Sequence, residues 1–454
     1  MIRGFISSRR ARWMQLARLA APMVMSNLAY TLLGVLDTMF LGRVSTAAVG
    51  SIGVASTLFL AFALLFRGTI YGTLPYVARM YGGRRPREAG KYLQHFAFLA
   101  LLISPLVALL PWAVQAYFRV VRPHPEIAVL AAEYINIRFI ELPFSLLAGA
   151  ISSFLIGVGN AKSPMWMAWV SVTVNAIANY ILIFGKLGLP ALGVAGAAWG
   201  TVIAVAVQLG FGIVVIIRYY WQEYYLGEWS WPSWREIADM VKVGMPIGLT
   251  DAVELAAFST FFTLISRLGT VELAASQIAN QIAAFAFMPG FAFGQATGSL
   301  VGRYLGAEDC KTAEIVGYQG ALLGVAAMGV VGVGFWVFSP VLGRMFTADL
   351  EVIQMTALLL KVMAFYQVFD AANIVFRGAL NGAGDTRFTM AVAVAGSAVV
   401  FIPAVYLFAF TLNLQLLGAW LGCMVYLVTL AGLCFARFRR GQWKTVRLGV
   451  SSQA

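Results

Sequence analysis

The chain has 454 residues, of which 61% are hydrophobic and only 11% charged; a soluble domain carries about 25% charged residues. That balance excludes a soluble globular protein and leaves a polytopic membrane protein. The net charge of +13 points to the membrane surface rather than to nucleic acid, because the basic residues sit beside apolar stretches. Two His and three scattered Cys (Cys310, Cys423 and Cys434) exclude a metal-ligand cluster, a disulfide framework and a redox pair.

A membrane span needs ~20 apolar residues. Twelve all-α spans are expected, at 15–40, 48–79, 93–118, 128–157, 164–185, 196–218, 242–266, 272–303, 313–339, 352–381, 388–410 and 417–436. The basic start runs into a proline-containing apolar stretch with no small-residue cleavage site, so it reads as an uncleaved first span. Pro22, Pro246 and Pro289 fall inside spans, where they free backbone carbonyls and allow bending. With the N-terminus inside, the cytoplasmic segments hold 22 of the 32 Lys and Arg, against six in the outer loops: Arg43, Arg119, Arg122, Lys186, Arg267 and Arg344. Arg67, Arg138, Lys361 and Arg377 fall within spans. This bias places both termini in the cytoplasm.

The chain is also written twice. At an offset of 224, Pro22 meets Pro246, Arg43 meets Arg267, Arg79 meets Arg303 and Gly82 meets Gly306. At 225, Gly159 meets Gly384. Agreement at nearly one offset implies duplication. Two like halves with the same orientation make two six-helix lobes related by a pseudo-twofold axis along the membrane normal. That is a plan of secondary transporters. The expected division is an N-lobe at 1–218, a linker at 219–241 and a C-lobe with a basic tail at 242–454. The linker carries Tyr219, Tyr220, Trp221, Tyr224, Tyr225, Trp229, Trp231 and Trp234, a density that suits the bilayer interface; substrate stacking is the alternative.

Charged residues at membrane depth are functional candidates. They are Asp37 in the first span, Asp251 and Glu254 in the seventh, and Asp370 in the tenth. Asn27, Tyr30, Gly34 and Asp37 share one helix face, and their counterparts at 224 are Asp251, Glu254, Phe258 and Phe261. Asn175 and Asn179 share a face of the fifth span, and Thr201 opens the sixth. With Asp37 they could form an oxygen cluster suited to Na⁺ or a proton. Interhelical hydrogen bonding is the plainer role for the Asn pair. A buried pair with Arg67, Arg138, Lys361 or Arg377 is the plainer role for Asp37, Glu254 and Asp370, and a helix-start or interfacial role for Asp251, close to the cytoplasmic end. Phe258, Phe261, Phe262, Phe287 and Met288 could line an adaptable apolar wall for varied substrates, or pack in the core or against lipid.

These residues resemble the multidrug and toxic compound extrusion (MATE) transporters over essentially the whole length. The carrying segments are Leu36-Asp37-Thr38-Met39-Phe40-Leu41-Gly42-Arg43, Glu254, Gln367-Val368-Phe369-Asp370, and the loops ending near Gly159 and Gly384. The resemblance implies an antiporter of the bacterial inner membrane that expels organic, mostly cationic compounds in exchange for Na⁺ or H⁺. No other cofactor is expected. Asp37 matches an N-lobe coupling acid, with Asn175, Asn179 and Thr201 as its partners. Glu254 and Asp370 match the C-lobe cation site of the NorM-like branch, which is favoured because both sets are present. Na⁺ could then sit at Glu254 and Asp370, or at Asp37, with Asp37, Tyr30, Phe258, Phe261, Phe287 and Met288 facing the substrate. Asn179 stands where some relatives carry Asp, which leaves the ion preference open. A monomer is expected. The rivals are a flippase for lipid-linked sugars or peptidoglycan precursors, which would need cations lining its path, a membrane-embedded enzyme, for which no catalytic motif is present, and a channel.

Overall fold

A computed structural model describes residues 9–121 and 125–448; Arg3 and Arg122, counted above in the charge bias, lie outside them. Sixteen α-helices follow one another among the described residues. They are α1 Arg9–Leu41, α2 Thr46–Tyr71, α3 Thr73–Gly82, α4 Pro86–Ile103, α5 Leu110–Val121, α6 Pro125–Phe139, α7 Glu141–Gly157 and α8 Lys162–Phe184. Then come α9 Gly193–Tyr219, α10 Trp234–Ile265, α11 Thr270–Gly306, α12 Cys310–Arg344, α13 Leu350–Ala383, α14 Thr386–Ala395, α15 Ile402–Tyr406 and α16 Gln415–Arg439. Ten helical stretches are long and apolar enough to cross a membrane, and the bent pair α6–α7 makes an eleventh. The twelfth expected span is α11, a single helix of 37 residues; it is less apolar than the others and is not among those ten. The expected twelve-helix, two-lobe layout therefore stands, with irregularities that no hydropathy window resolves.

Each irregularity has a local cause. Gly72 separates α2 from α3. A 44° bend separates α6 from α7, where Pro143 cannot donate back to Phe139 and its ring crowds that carbonyl. The span over Thr386–Thr411 carries π-helical turns at Gly396–Phe401 and Leu407–Thr411 on either side of α15, which holds Pro403. By contrast α1, α10 and α11 run on through Pro22, Pro246 and Pro289.

The chain forms two compact units. One is Met25–Gly248; the other is Leu249–Leu448 with the described residues before Met25. The linker and the first half of α10 thus belong to the first unit, and the start of α1 to the second. The linker is fastened to α4. The Gln94 amide donates to the carbonyls of Leu226 (3.1 Å) and Glu228 (3.3 Å) and accepts from the Ser230 amide (3.2 Å). Lys91 pairs with Glu236 at 2.8 Å, and Trp229, Trp231 and Trp234 stay exposed.

Helices within each unit approach through glycine. Gly68 and Gly72 of α2 face Gly244 and Gly248 of α10, so close that a Cβ on Gly68 would overlap the Gly248 backbone. In the second unit Gly294 and Gly298 of α11 face Gly378 and Gly382 of α13, backbone on backbone. Small residues four apart let membrane helices pack at van der Waals distance, where no hydrophobic gain from leaving water is available.

The duplication recurs in individual hydrogen bonds. After α3, Gly83, Arg84 and Arg85 donate to the carbonyls of Arg79, Tyr81 and Met80; after α11, Ala307, Glu308 and Asp309 donate to Arg303, Leu305 and Tyr304. Arg84 and Glu308 both take left-handed φ values, 55° and 61°. After α7, Gly159 and Asn160 donate to Ile156 and Leu155; after α13, Gly384 and Asp385 donate to Asn381 and Leu380. Gly159 and Gly384 sit at φ 96° and 90°, the helix-ending geometry in which glycine avoids a Cβ clash.

Candidate functional site

In the first unit, Asp37 lies one turn before the end of α1 and is 4% exposed. Asn175 and Asn179 lie one turn apart on α8, and Thr201 on α9 faces them. The four side chains form one connected line. The Asn179 amide donates to Asp37 Oδ1 at 2.5 Å and to Asn175 Oδ1 at 3.1 Å. Asn175 donates to Thr201 Oγ1 at 3.2 Å, and the Thr201 hydroxyl donates to the Ala197 carbonyl at 3.1 Å. All four are buried. The donors diverge from Asn179: its amide gives one hydrogen bond to the Asp37 carboxylate and one to Asn175, from which the line runs through Thr201 to the Ala197 carbonyl. Asn179 Oδ1 is buried with no hydrogen-bond partner and rests against the Cα of Gly200, where a Cβ would overlap it. Among the described residues Asp37 has no ion pair. A buried carboxylate without a cation is costly, so an arriving cation or proton would find a ready partner here.

Tyr30, one face up from Asp37, is exposed, and its hydroxyl accepts from Gln208 at 2.7 Å. Gly34 between them opens onto free space. The stripe expected from spacing is therefore half open and half buried.

Two partly buried cations of this unit meet an acid that the sequence reading passed over. Glu141, in the first turn of α7, receives Arg67 Nη2 on Oε1 at 2.6 Å and Arg138 Nε beside Oε2 at 2.6 Å. It is 1% exposed. The signal was present as a second charge three residues after Arg138, next to Pro143 in an otherwise apolar stretch.

In the second unit, α10 carries Asp251 and Glu254 one turn apart, and α13 carries Asp370 and Arg377. Arg377 Nη1 donates to Glu254 Oε1 at 2.5 Å. The plainer role considered for Glu254, pairing with a buried cation, is realised. Asp370 is 6% exposed and Asp251 is partly buried; among the described residues neither forms an ion pair. The cluster keeps more acid than base. Lys361 instead faces the Trp336 ring at 5.8 Å. Gln367, one turn before Asp370, is fully buried, and neither of its amide atoms has a hydrogen-bond partner.

The proposed apolar wall separates into different environments. Phe261 is 0% exposed, enclosed by Phe258, Phe262, Phe401 and Trp420 at ring distances of 5.1 to 6.1 Å. It belongs to the core rather than to an open wall, because Phe401 from the π-helical turn and Trp420 of α16 close over it. Phe258 and Met288 are partly buried, and Phe287 packs on Met328, Ala371 and Ile374. Among the described residues no group of three or more His, Cys, Asp or Glu is placed to hold a metal ion.

The MatE family model matches residues 22–181 and 246–407, once in each half of the chain. A probable multidrug resistance protein NorM of Oceanobacillus iheyensis is 28% identical over 428 residues, covering 94% of this chain and 96% of that protein. One of Bradyrhizobium diazoefficiens is 30% identical over 434 residues, covering 93% and 92%. A solved structure described as the outward-facing conformation of a multidrug resistance MATE family transporter of the MOP superfamily superposes with a TM-score of 0.88 at 20% identity, covering 94% of this chain and 95% of that one. The expected kinship with the NorM-like branch is borne out, and the helical layout is that of solved family members. With both halves matched and relatives aligned nearly end to end, the chain belongs to the MatE family of multi-pass membrane transporters and is not an enzyme.

Proposed function

We propose that this transporter is a secondary active antiporter. It expels organic, mostly cationic, amphiphilic compounds from the cytoplasm across a bacterial inner membrane in exchange for Na⁺ or H⁺, by alternating access of its two lobes. The observation that carries this reading is Asp37, a buried carboxylate on an uncharged amide with no cation of its own. Such a group can hold either a coupling ion or a cationic substrate, but not both at once. The ion must favour one state to drive the cycle; by neutralising the acid it releases the drug. The NorM naming of the relatives supports efflux of several drugs. The Lys and Arg bias supports cytoplasmic termini, and the protein acts as a monomer. In the second unit Asp370 and Asp251 supply further uncompensated acid beside the Glu254–Arg377 pair, and Glu254 and Asp370 make the second cation site.

The driving force suffices. One cation entering down 100 mV contributes ~2.3 kcal/mol, and one pH unit about 1.4 kcal/mol. Tyr30, Phe258, Phe287 and Met288 are the residues we assign to the drug. A flippase for lipid-linked pyrophosphates would need free cations. Arg67 and Arg138 are taken up by Glu141, and Arg377 by Glu254, which weighs against that reading.

Ethidium efflux from proteoliposomes, under an imposed Na⁺ gradient and then an imposed pH gradient, identifies the ion. Asp37→Asn, Glu254→Gln and Asp370→Asn are each expected to reduce efflux sharply with little loss of folded protein. Wild-type efflux from all three would overturn the carboxylate mechanism.

A further inference from the structure

Glu141 is an acid with two cations. It sits just past the 44° bend between α6 and α7, in the first turn of α7, where the helix dipole favours a negative charge. Arg67 reaches it from α2 and also donates Nε to Ser145 Oγ at 3.3 Å. Arg138 reaches it from the last turn of α6, donates Nη1 to the Tyr134 hydroxyl at 2.9 Å, and lies over the Phe59 ring at 4.4 Å. Arg138 is therefore held on three sides.

The same packed region contains Asp37. Leu41, one turn beyond Asp37, shares a buried cluster with Ile183, one turn beyond Asn179, and with Tyr134, one turn before Arg138. Arg138 and Glu141 both act electrostatically on Asp37. Arg138 could answer either acid, yet its ion pair goes to Glu141, and Asp37 is left with an amide.

We propose that Glu141 is a positioning residue of the N-lobe cation site: by holding Arg138, and with it Arg67, it keeps guanidinium charge from closing on Asp37, so that Asp37 stays available to the transported cation. The proposal rests on the reading of Asp37 as the coupling acid. Without Glu141, Arg138 loses its ion pair while Asp37, in the same packed region, has none among the described residues, and the protein would carry a built-in competitor for its own ion.

The test is ethidium efflux from proteoliposomes of the full chain, measured against the concentration of whichever of Na⁺ and H⁺ drives the wild type. Glu141→Gln should raise the half-maximal ion concentration about tenfold or more, the scale of one charge-assisted bond exchanged. Glu141→Gln with Arg138→Gln should return it towards wild type. A structural role would lower the amount of folded protein but would not move this ion dependence and restore it. Folded Glu141→Gln with wild-type ion dependence would overturn the proposal, as would a folded double variant no better than the single one. If the single variant does not fold because a buried cation is left unpaired, the double variant carries the test alone: wild-type-like ion dependence supports the proposal and a tenfold defect refutes it. Asp37→Asn is run beside them. Wild-type efflux there defeats the coupling-acid reading; loss there with an unaffected Glu141→Gln defeats only the present one.

Discussion

Gly200→Ala is the most local perturbation of the N-lobe site. The added methyl would overlap Asn179 Oδ1 and press on the Asn179 backbone amide. Two responses relieve it. Asn179 can swing off Asp37, which breaks the 2.5 Å bond, or α8 and α9 can part, an overpacking cost of about 1–3 kcal/mol. A neutral interhelical hydrogen bond in a membrane is worth only ~0.6 kcal/mol on average, too little to register in transport. A bond to a charged group is worth about 1.5–3 kcal/mol, or roughly ten- to hundredfold in ion affinity. Gly200→Ala should therefore raise the half-maximal driving-ion concentration within that range. Gly210→Ala lies on the same helix, but its methyl would meet nothing within 4 Å. It should leave transport unchanged and add about 0.5–1 kcal/mol of helix stability. Because Gly200→Ala acts through Asn179, adding it to Asn179→Ala should cost little more. Equal damage from the two glycine variants, or additive damage in the Asn179→Ala background, would refute the argument.

Two further outcomes concern stability. Gly378→Ala places a methyl against the Gly294 backbone, where no flexible side chain can yield. Detergent-solubilised protein should lose about 1–3 kcal/mol, seen as earlier thermal loss of the monodisperse peak, whereas Gly329→Ala, which faces open space, should be neutral. Asp309 caps α12 through the Thr312 amide at 2.9 Å. Hydrogen bonds from the Thr312 side chain and backbone hold its carboxyl below the ordinary carboxylate value. Its stabilising contribution is thus complete above the ordinary value and is lost as pH falls through the depressed one. Asp309→Ala should cost about 1 kcal/mol near neutrality and nothing once the wild-type carboxyl is protonated; an equal deficit at both pH values would contradict the cap.

Much of the molecule follows from the chain alone. Composition forces helices into a membrane, because buried backbone there must bond within its own segment. The offset of 224 foretells the paired turns after α3 and α11 down to their hydrogen bonds, since turn geometry depends on a few neighbouring residues. The spacing of Asn175 and Asn179 puts both on one face of α8. What spacing leaves open is which side chain each charge meets. Asp37 and Asn179 are 142 positions apart and Glu254 and Arg377 123 apart, and only helix packing brings them together. That packing gives Arg377 to Glu254, encloses Phe261, and hands two arginines to Glu141. Such pairings are decided by tertiary structure because a charge at membrane depth pairs with whatever opposite charge or dipole lies within a few ångströms, and sequence distance carries no information about that.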